Sequence, residues 1–305
     1  MPPSTPNPSK PTVGFIGLGV MGSRMAGRLL DDDYPLVVYN RNRKRAEALA
    51  ERGAAIAASP RELAQRCRFV LSSLSDDAAV EAMMHGPDGA LAGMKPETIL
   101  IEMSTLYPAT HVALHRAAAE KGAAALDAPV SGSLPQAEQG QLVIFVGGEA
   151  EVHRQARPIL DVLGKESFHM GPAGAGATMK LVVNALLGLG LQALAEAIVL
   201  GEKSGLDGAR LLEVLGQTAV VSPAQKGKLE NARKDEYPPT FPVRLMFKDF
   251  GLVLRKAAEV LAPMPATAAA QQVCAAERAA QAAAGKEEDF SAVIRQVRRS
   301  AGIGR

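Results

Sequence analysis

Two polar side chains interrupt an otherwise apolar stretch of this 305-residue chain: Lys180 and Asn184, in GPAGAGATMKLVVN. Four residues apart, they share one face of a helix. An ammonium and an amide are costly to bury there without partners, which points to a site. A lysine that snorkels its charge to solvent is the plainer alternative. An ammonium within reach of a carbonyl oxygen can stabilise growing negative charge and supply a proton. A second constellation is DAPVSGS, Asp127 to Ser133, at the end of an apolar run. Such a turn presents hydroxyls and free amides that suit a small carboxylate, and it would serve equally as an ordinary loop.

The third constellation is GLGVMG, comprising Gly17, Leu18, Gly19, Val20, Met21 and Gly22. A buried-strand pattern, Val13 to Ile16, precedes it, and a helix pattern, Met21 to Leu30, follows. In that setting G-x-G-x-x-G is a dinucleotide fingerprint. The glycines allow a tight turn and bring the pyrophosphate to backbone N–H groups at a helix N-terminus. The side chains of Met21 and Met25 read as packing. The next strand pattern, PLVVYN, ends in Asn40 and Arg41, where an NAD site usually carries Asp or Glu. A guanidinium binds a 2′-phosphate that a carboxylate would repel, so NADP(H) is favoured. Lys44 and Arg45 read as a solvated helix turn.

These residues need a frame. From Thr12 to about Met170, short apolar runs (TVGFIGL, PLVVYN, FVLSSL, TILIEM, AALDAPV, QLVIFVGG, ESFHMG) alternate with helical segments. That alternation predicts a mainly parallel sheet covered by helices. Beyond Gly171 the composition turns helical. A helix from near Ala175 to about Ser204 would run ~45 Å, ending at the stop signal Gly205. The expected fold is therefore an α/β Rossmann-type N-terminal domain joined by a long helix to an all-α C-terminal domain. The boundaries are a disordered proline-rich tail over 1–11, the dinucleotide-binding domain over 12–173 and a helical substrate and oligomerisation domain over 174–305. YPPTFP, Tyr237 to Pro242, is a break between helices.

A net charge of +2 lacks the basic excess of a nucleic-acid binder. Two distant cysteines, Cys67 and Cys274, fit a reducing cytoplasm. The longest apolar run, Leu181 to Leu191, is broken by Asn184 and reads as a buried helix, so no membrane association is expected. His111 and His115 have i, i+4 spacing but no accompanying ligand, and they read as part of a solvated helix without metal. The basic end RQVRRS, Arg295 to Ser300, reads as a solvated C-terminal helix.

GFIGLGVMG, Asn40–Arg41, EMST (Glu102 to Thr105), DAPVSG, GAGATMK with Asn184, and Lys248–Asp249 occur in an order that resembles the β-hydroxyacid dehydrogenase family from about Val13 to Val297. Within it the chain looks most like the NADPH-dependent glyoxylate/succinic semialdehyde reductases, through QAEQGQLVI, VLGKESFHMG, YPPTFPVRLMFKD and DFSAVI. The resemblance implies that Lys180 is the catalytic general acid. Ser131 and Gly132 would hold the substrate carboxylate, and Asn184 would orient the substrate. Phe241 and Asp249 would line the site, while Thr105 and Lys248 would contact the cofactor. Ser133 and Val183 depart from hydroxyisobutyrate-type relatives, which carry glycine and often asparagine. 3-Hydroxyisobutyrate or tartronate semialdehyde would be the alternative substrate. Imine reductases share the architecture but commonly lack the lysine, and some relatives have become non-catalytic NADP-binding modules. The family also implies a homodimer or homotetramer, with the alanine-rich Pro265 to Ala284 a candidate interface.

Overall fold

The computed structural model describes residues 9–303. The chain forms two compact units, residues 1–180 and 181–305. The first holds a nine-stranded sheet: β1 (Val13–Ile16), β2 (Leu36–Tyr39), β3 (Ala55–Ile56), β4 (Phe69–Ser72), β5 (Ile99–Glu102), β6 (Ala124–Asp127), β7 (Val130–Ser131), β8 (Leu142–Gly147) and β9 (Gly164–Gly171). The order is β3-β2-β1-β4-β5-β6-β8-β7, with β9 paired to β8. The first six strands run parallel, whereas β8 lies antiparallel to β6 and β7. Chain direction across the sheet reverses between β1 and β4. That is the switch point where open α/β sheets take ligands.

Helices α1 (Val20–Asp31), α2 (Lys44–Ala50), α3 (Pro60–Arg66), α4 (Asp77–Met84), α5 (Ala90–Gly93), α6 (Pro108–Ala119), α7 (Leu134–Glu138) and α8 (Ala150–Leu163) complete the first unit, together with the start of α9 (Ala175–Lys203). Successive strand residues serve opposite faces. Val13 and Phe15 join Leu71, Ile101 and Leu126 under α1 and α8. Ile16, Val70 and Leu100 pack with Leu63, Val80 and Leu114 of α3, α4 and α6. Burial on both faces is why these strands read as continuous apolar runs. The two-residue strands β3 and β7 escape that signal, because they are too short for a run. Ser59 and Asp76 cap α3 and α4 with side-chain bonds to Glu62 N and Ala79 N.

Most of the second unit is helical: the remainder of α9, then α10 (Gly208–Gln217), α11 (Pro223–Lys234), α12 (Val243–Glu259), α13 (Pro265–Ala283), a 3₁₀ turn over Phe290–Ala292 and α14 (Val293–Ser300). Its core gathers Leu191, Ile198, Met246, Phe250, Cys274 and Ile294. Gly205, at φ +87°, follows the end of α9 as its composition predicts. A bridge between Pro242 and Asp289 closes the proline-rich turn.

Two expectations need correction. The basic end is not simply solvated: Arg295 pairs with fully buried Glu277 and with Glu288, and Arg298 pairs with Glu202. Packing α14 against α13 drags those guanidiniums inward, and carboxylates meet them. Helix α9 is also less buried than its run suggests, with Leu186 70% and Leu200 69% exposed. It is the one described helix long and apolar enough to cross a membrane by length and composition, and 44% of that window is buried. The expected tail lies outside the described residues through position 8. Lys10 is already held against the fold, pairing with Asp32 and standing over the Tyr34 ring at 4.4 Å.

Candidate active site

In the first unit the glycine turn follows β1 directly. Gly17 has φ +92°, and a Cβ there would stand 2.4 Å from Ser73 O. A Cβ on Gly22 would lie 2.0 Å from Gly17 O. Steric need therefore explains both. Gly19 is different, because nothing lies within 4 Å of where its Cβ would be. It begins α1 with no side-chain cap, and the first turn carries no acidic residue. Open space, uncapped N–H groups and the positive end of a helix suit a pyrophosphate. The residues present fit a nicotinamide dinucleotide.

Asn40 directly follows β2, and its side chain is tied to the protein. Oδ1 accepts from Leu18 N at 2.9 Å, and Nδ2 donates to Asn42 O at 2.9 Å. It thus couples the glycine turn to the turn that carries Arg41. Arg41 is exposed, and no carboxylate occurs from Asn40 to Arg45. Thr105 follows β5, half-buried. The segment before it is bound by fully buried Glu102, which accepts from Ser72 Oγ and from Ser104 N (2.8 Å), while Ser104 Oγ accepts from Leu74 N at 2.7 Å. Burial pushes the Glu102 carboxyl up to about 7, against the hydrogen bonds from Ser104 and Ser72.

Ser131 lies half-buried on β7, and Gly132, at φ +142°, is exposed beside it. Ser133 is occupied with α7, its N–H donating to Gln136 Oε1 at 3.0 Å and its hydroxyl donating to the same oxygen. The departure from glycine at Ser133 therefore has a local helix-capping reason. Lys180 is half-buried, in the second turn of α9.

In the second unit Asn184, Lys248 and Asp249 come together. Asn184 Nδ2 donates to Asp249 Oδ2 at 2.6 Å, and Lys248 Nζ stands 3.1 Å from Asp249 Oδ1. Asn184 and Asp249 are almost wholly buried. Phe241 meets Phe290 edge-on at 5.5 Å. Asp289 organises that turn, accepting from Phe241 N (3.0 Å), Thr240 Oγ1 (2.6 Å), Lys228 Nζ (2.8 Å) and Ser291. Burial opposes ionisation of Asp289, but Lys228 and these donors outweigh it and hold its carboxyl below the usual range.

Reading motifs alone missed Glu102, Asp127 and Asp289 as working residues. For Glu102 and Asp127 the available signal was a carboxylate ending an apolar run, a placement that demands partners; Asp289, after Glu287 and Glu288, carried no such signal. The histidines of α6 are a correction as well. His111 is buried, and burial pushes its imidazole down to about 4. His115 Nε2 stands 3.3 Å from Asp127 Oδ1. Helix α6 turns this edge toward the sheet, so neither histidine lies on a solvated face.

The NAD binding domain of 6-phosphogluconate dehydrogenase matches residues 12–171, and the domain described as NAD-binding of NADP-dependent 3-hydroxyisobutyrate dehydrogenase matches residues 174–297. The chain is 38% identical over 286 residues to glyoxylate/succinic semialdehyde reductase 1 of Arabidopsis thaliana, covering 94% of this chain and 98% of that protein. It is 38% identical over 289 residues to 3-hydroxyisobutyrate dehydrogenase of Pseudomonas aeruginosa, covering 92% and 96%. The solved 3-hydroxyisobutyrate dehydrogenase of Mycobacterium tuberculosis, with L-serine, superposes with a TM-score of 0.83 at 31% identity, covering 95% and 99%. With both domains matched and relatives aligned along nearly their whole length, the chain belongs to the β-hydroxyacid dehydrogenase family and is an NAD(P)-binding oxidoreductase.

Proposed function

We propose that this enzyme uses NADP(H) to reduce a small carboxylate-bearing aldehyde or keto acid, glyoxylate or succinic semialdehyde, to the hydroxy acid. The observation that carries the reading is Lys180, a half-buried ammonium on the apolar helix α9. The resemblance to the Arabidopsis reductase supports the substrate class. Exposed Arg41, in a turn without carboxylates, supports the phosphorylated cofactor.

A nicotinamide dinucleotide held at the glycine turn, Gly17 to Gly22, would supply the hydride for the carbonyl carbon. Lys180 donates a proton to the carbonyl oxygen as negative charge grows there, and it takes a proton from water afterwards. Lysine is ordinarily protonated at neutral pH, as reduction requires. Ser131 and the Gly132 amide hold the substrate carboxylate. Asn184 orients the substrate, Phe241 and Asp249 line its site, and Thr105 and Lys248 contact the cofactor. The equal identity to the Pseudomonas enzyme favours 3-hydroxyisobutyrate as the second reading.

NADPH and NADH oxidation should be followed with glyoxylate, succinic semialdehyde, tartronate semialdehyde and a cyclic imine, and 3-hydroxyisobutyrate oxidation in reverse. Fast turnover of the first two with NADPH is expected. Faster oxidation of 3-hydroxyisobutyrate would replace the substrate, and turnover of the imine alone would refute the carbonyl reading. Lys180→Ala should lower kcat by about 1,000-fold or more with NADPH affinity nearly unchanged. Near-normal turnover would remove Lys180 from the mechanism.

A further inference from the structure

Helix α9 starts without a capping side chain of its own. The residues before and within its first turn are Pro172, Ala173, Gly174, Ala175, Gly176 and Ala177. A helix start leaves N–H donors without intrahelical acceptors, and Ser, Thr, Asp or Asn normally answers them locally. Here the answer comes from 47 residues upstream. Asp127, wholly buried at the end of β6, accepts from Gly174 N at 2.8 Å through Oδ1 and from Ala177 N at 2.9 Å through Oδ2.

The surroundings are shaped for this contact. A Cβ on Gly147, across the β6–β8 pair, would stand 2.5 Å from both carboxylate oxygens. A Cβ on Gly176 would stand 2.3 Å from Phe145 O and 2.9 Å from Asp127 O. The helix end is thus pressed into the sheet edge. Burial opposes ionisation of Asp127. His115, 3.3 Å from Oδ1, nearby His111 and the two amides outweigh it, and the carboxyl is held below its usual range.

We infer that Asp127 is the positioning residue for Lys180. The carboxylate fixes the start of α9 against β6, and Lys180 follows three residues after the second capped amide. The segment leading on to Ser131 is held separately, by the backbone pairing of β7 with β8, so loss of the carboxylate acts on the lysine helix. This rests on the reading of Lys180 as proton donor.

In Asp127→Asn one carboxylate oxygen becomes an amide that only donates, and an N–H of α9 loses its acceptor. A shift of ~1 Å in a proton donor lowers turnover by about 100-fold, so kcat should fall by that order. The KM for the aldehyde and the NADPH affinity, from fluorescence titration, should stay within about threefold of wild type. Amide hydrogen exchange should quicken over residues 172–180 and stay unchanged over the glycine turn. Unchanged kcat, or exchange that quickens across the whole first unit together with weakened NADPH binding, overturns the inference. Should that variant not accumulate in soluble form, Gly147→Ala decides. It crowds the same oxygens without removing charge and should lower kcat at unchanged NADPH affinity; retained kcat there overturns the inference. An inactive Lys180→Ala beside a fully active Asp127→Asn removes the anchor alone. An active Lys180→Ala removes the proton donor, and the exchange measurement still reads the cap.

Discussion

At the scale of single residues, Glu102 shows how burial turns a strand-end carboxyl into a pH-sensitive brace. It ties Ser72, at the end of β4, to Ser104 after β5, and its carboxyl is raised from 4.5 to about 7. The folded state therefore prefers the protonated form. The stability it contributes is fully present below about pH 4.5 and is lost as pH rises through 7. The upper bound is about 3 kcal/mol, at 1.36 kcal/mol per unit. Glu102→Gln is neutral at every pH, so its melting temperature relative to wild type should rise between pH 5 and pH 8. A constant difference over that range would show that burial does not hold the proton. Asn40 makes the complementary point: its acceptor and one of its donors are committed to Leu18 N and Asn42 O, so it shapes the cofactor turn through the backbone.

At the scale of elements, the proline-rich turn before α12 depends on Asp289 rather than on its own prolines. That carboxylate is fully buried and gathers Lys228, Thr240, the Phe241 amide and Ser291. Removing one partner of a buried pair leaves the other uncompensated and costs about 3–5 kcal/mol. Asp289→Asn should therefore lower the urea midpoint of the helical unit. It should also raise the aldehyde KM, because Phe241 loses its fixed backbone. A stable variant with unchanged KM would show that the turn holds itself. The cap on α9 belongs to the same class, since in both cases a distant carboxylate satisfies a segment whose local residues cannot.

At the scale of the whole molecule, the exposed face of α9 carries Val182, Leu186 and Leu200 at 50%, 70% and 69% exposure. Val182 and Leu186 stand one turn apart on the same side of the helix, an arrangement suited to an interaction face. We propose that a homodimer or homotetramer built through the helical half would cover it, beside the alanine-rich Pro265 to Ala284. Leu186→Glu adds a charge at an exposed position and should leave the monomer fold intact. Light scattering should show a reduced mass for this variant against an oligomeric wild type. A monomeric wild type, or an unchanged oligomer, would refute that interface.

Periodicity and composition by themselves determined the alternation of strands and helices, the long α9, the glycine turn and the helical second half. Each is a local consequence of which side chains bury on a strand or helix face, and each was legible in runs such as TVGFIGL and TILIEM. Lys180 and Asn184 also stood out, because polar groups on an apolar helix are conspicuous in one dimension. Only the tertiary structure decided which distant carboxylates hold these segments. Asp127 reaches Gly174 and Ala177, Asp249 reaches Asn184, and Asp289 reaches Phe241, across 47 to 65 positions. A hydrogen bond depends on distances of about 3 Å in space, and spacing along the chain carries no record of them. The same holds for His111 and His115, whose i, i+4 spacing shows a shared face without showing which way that face turns.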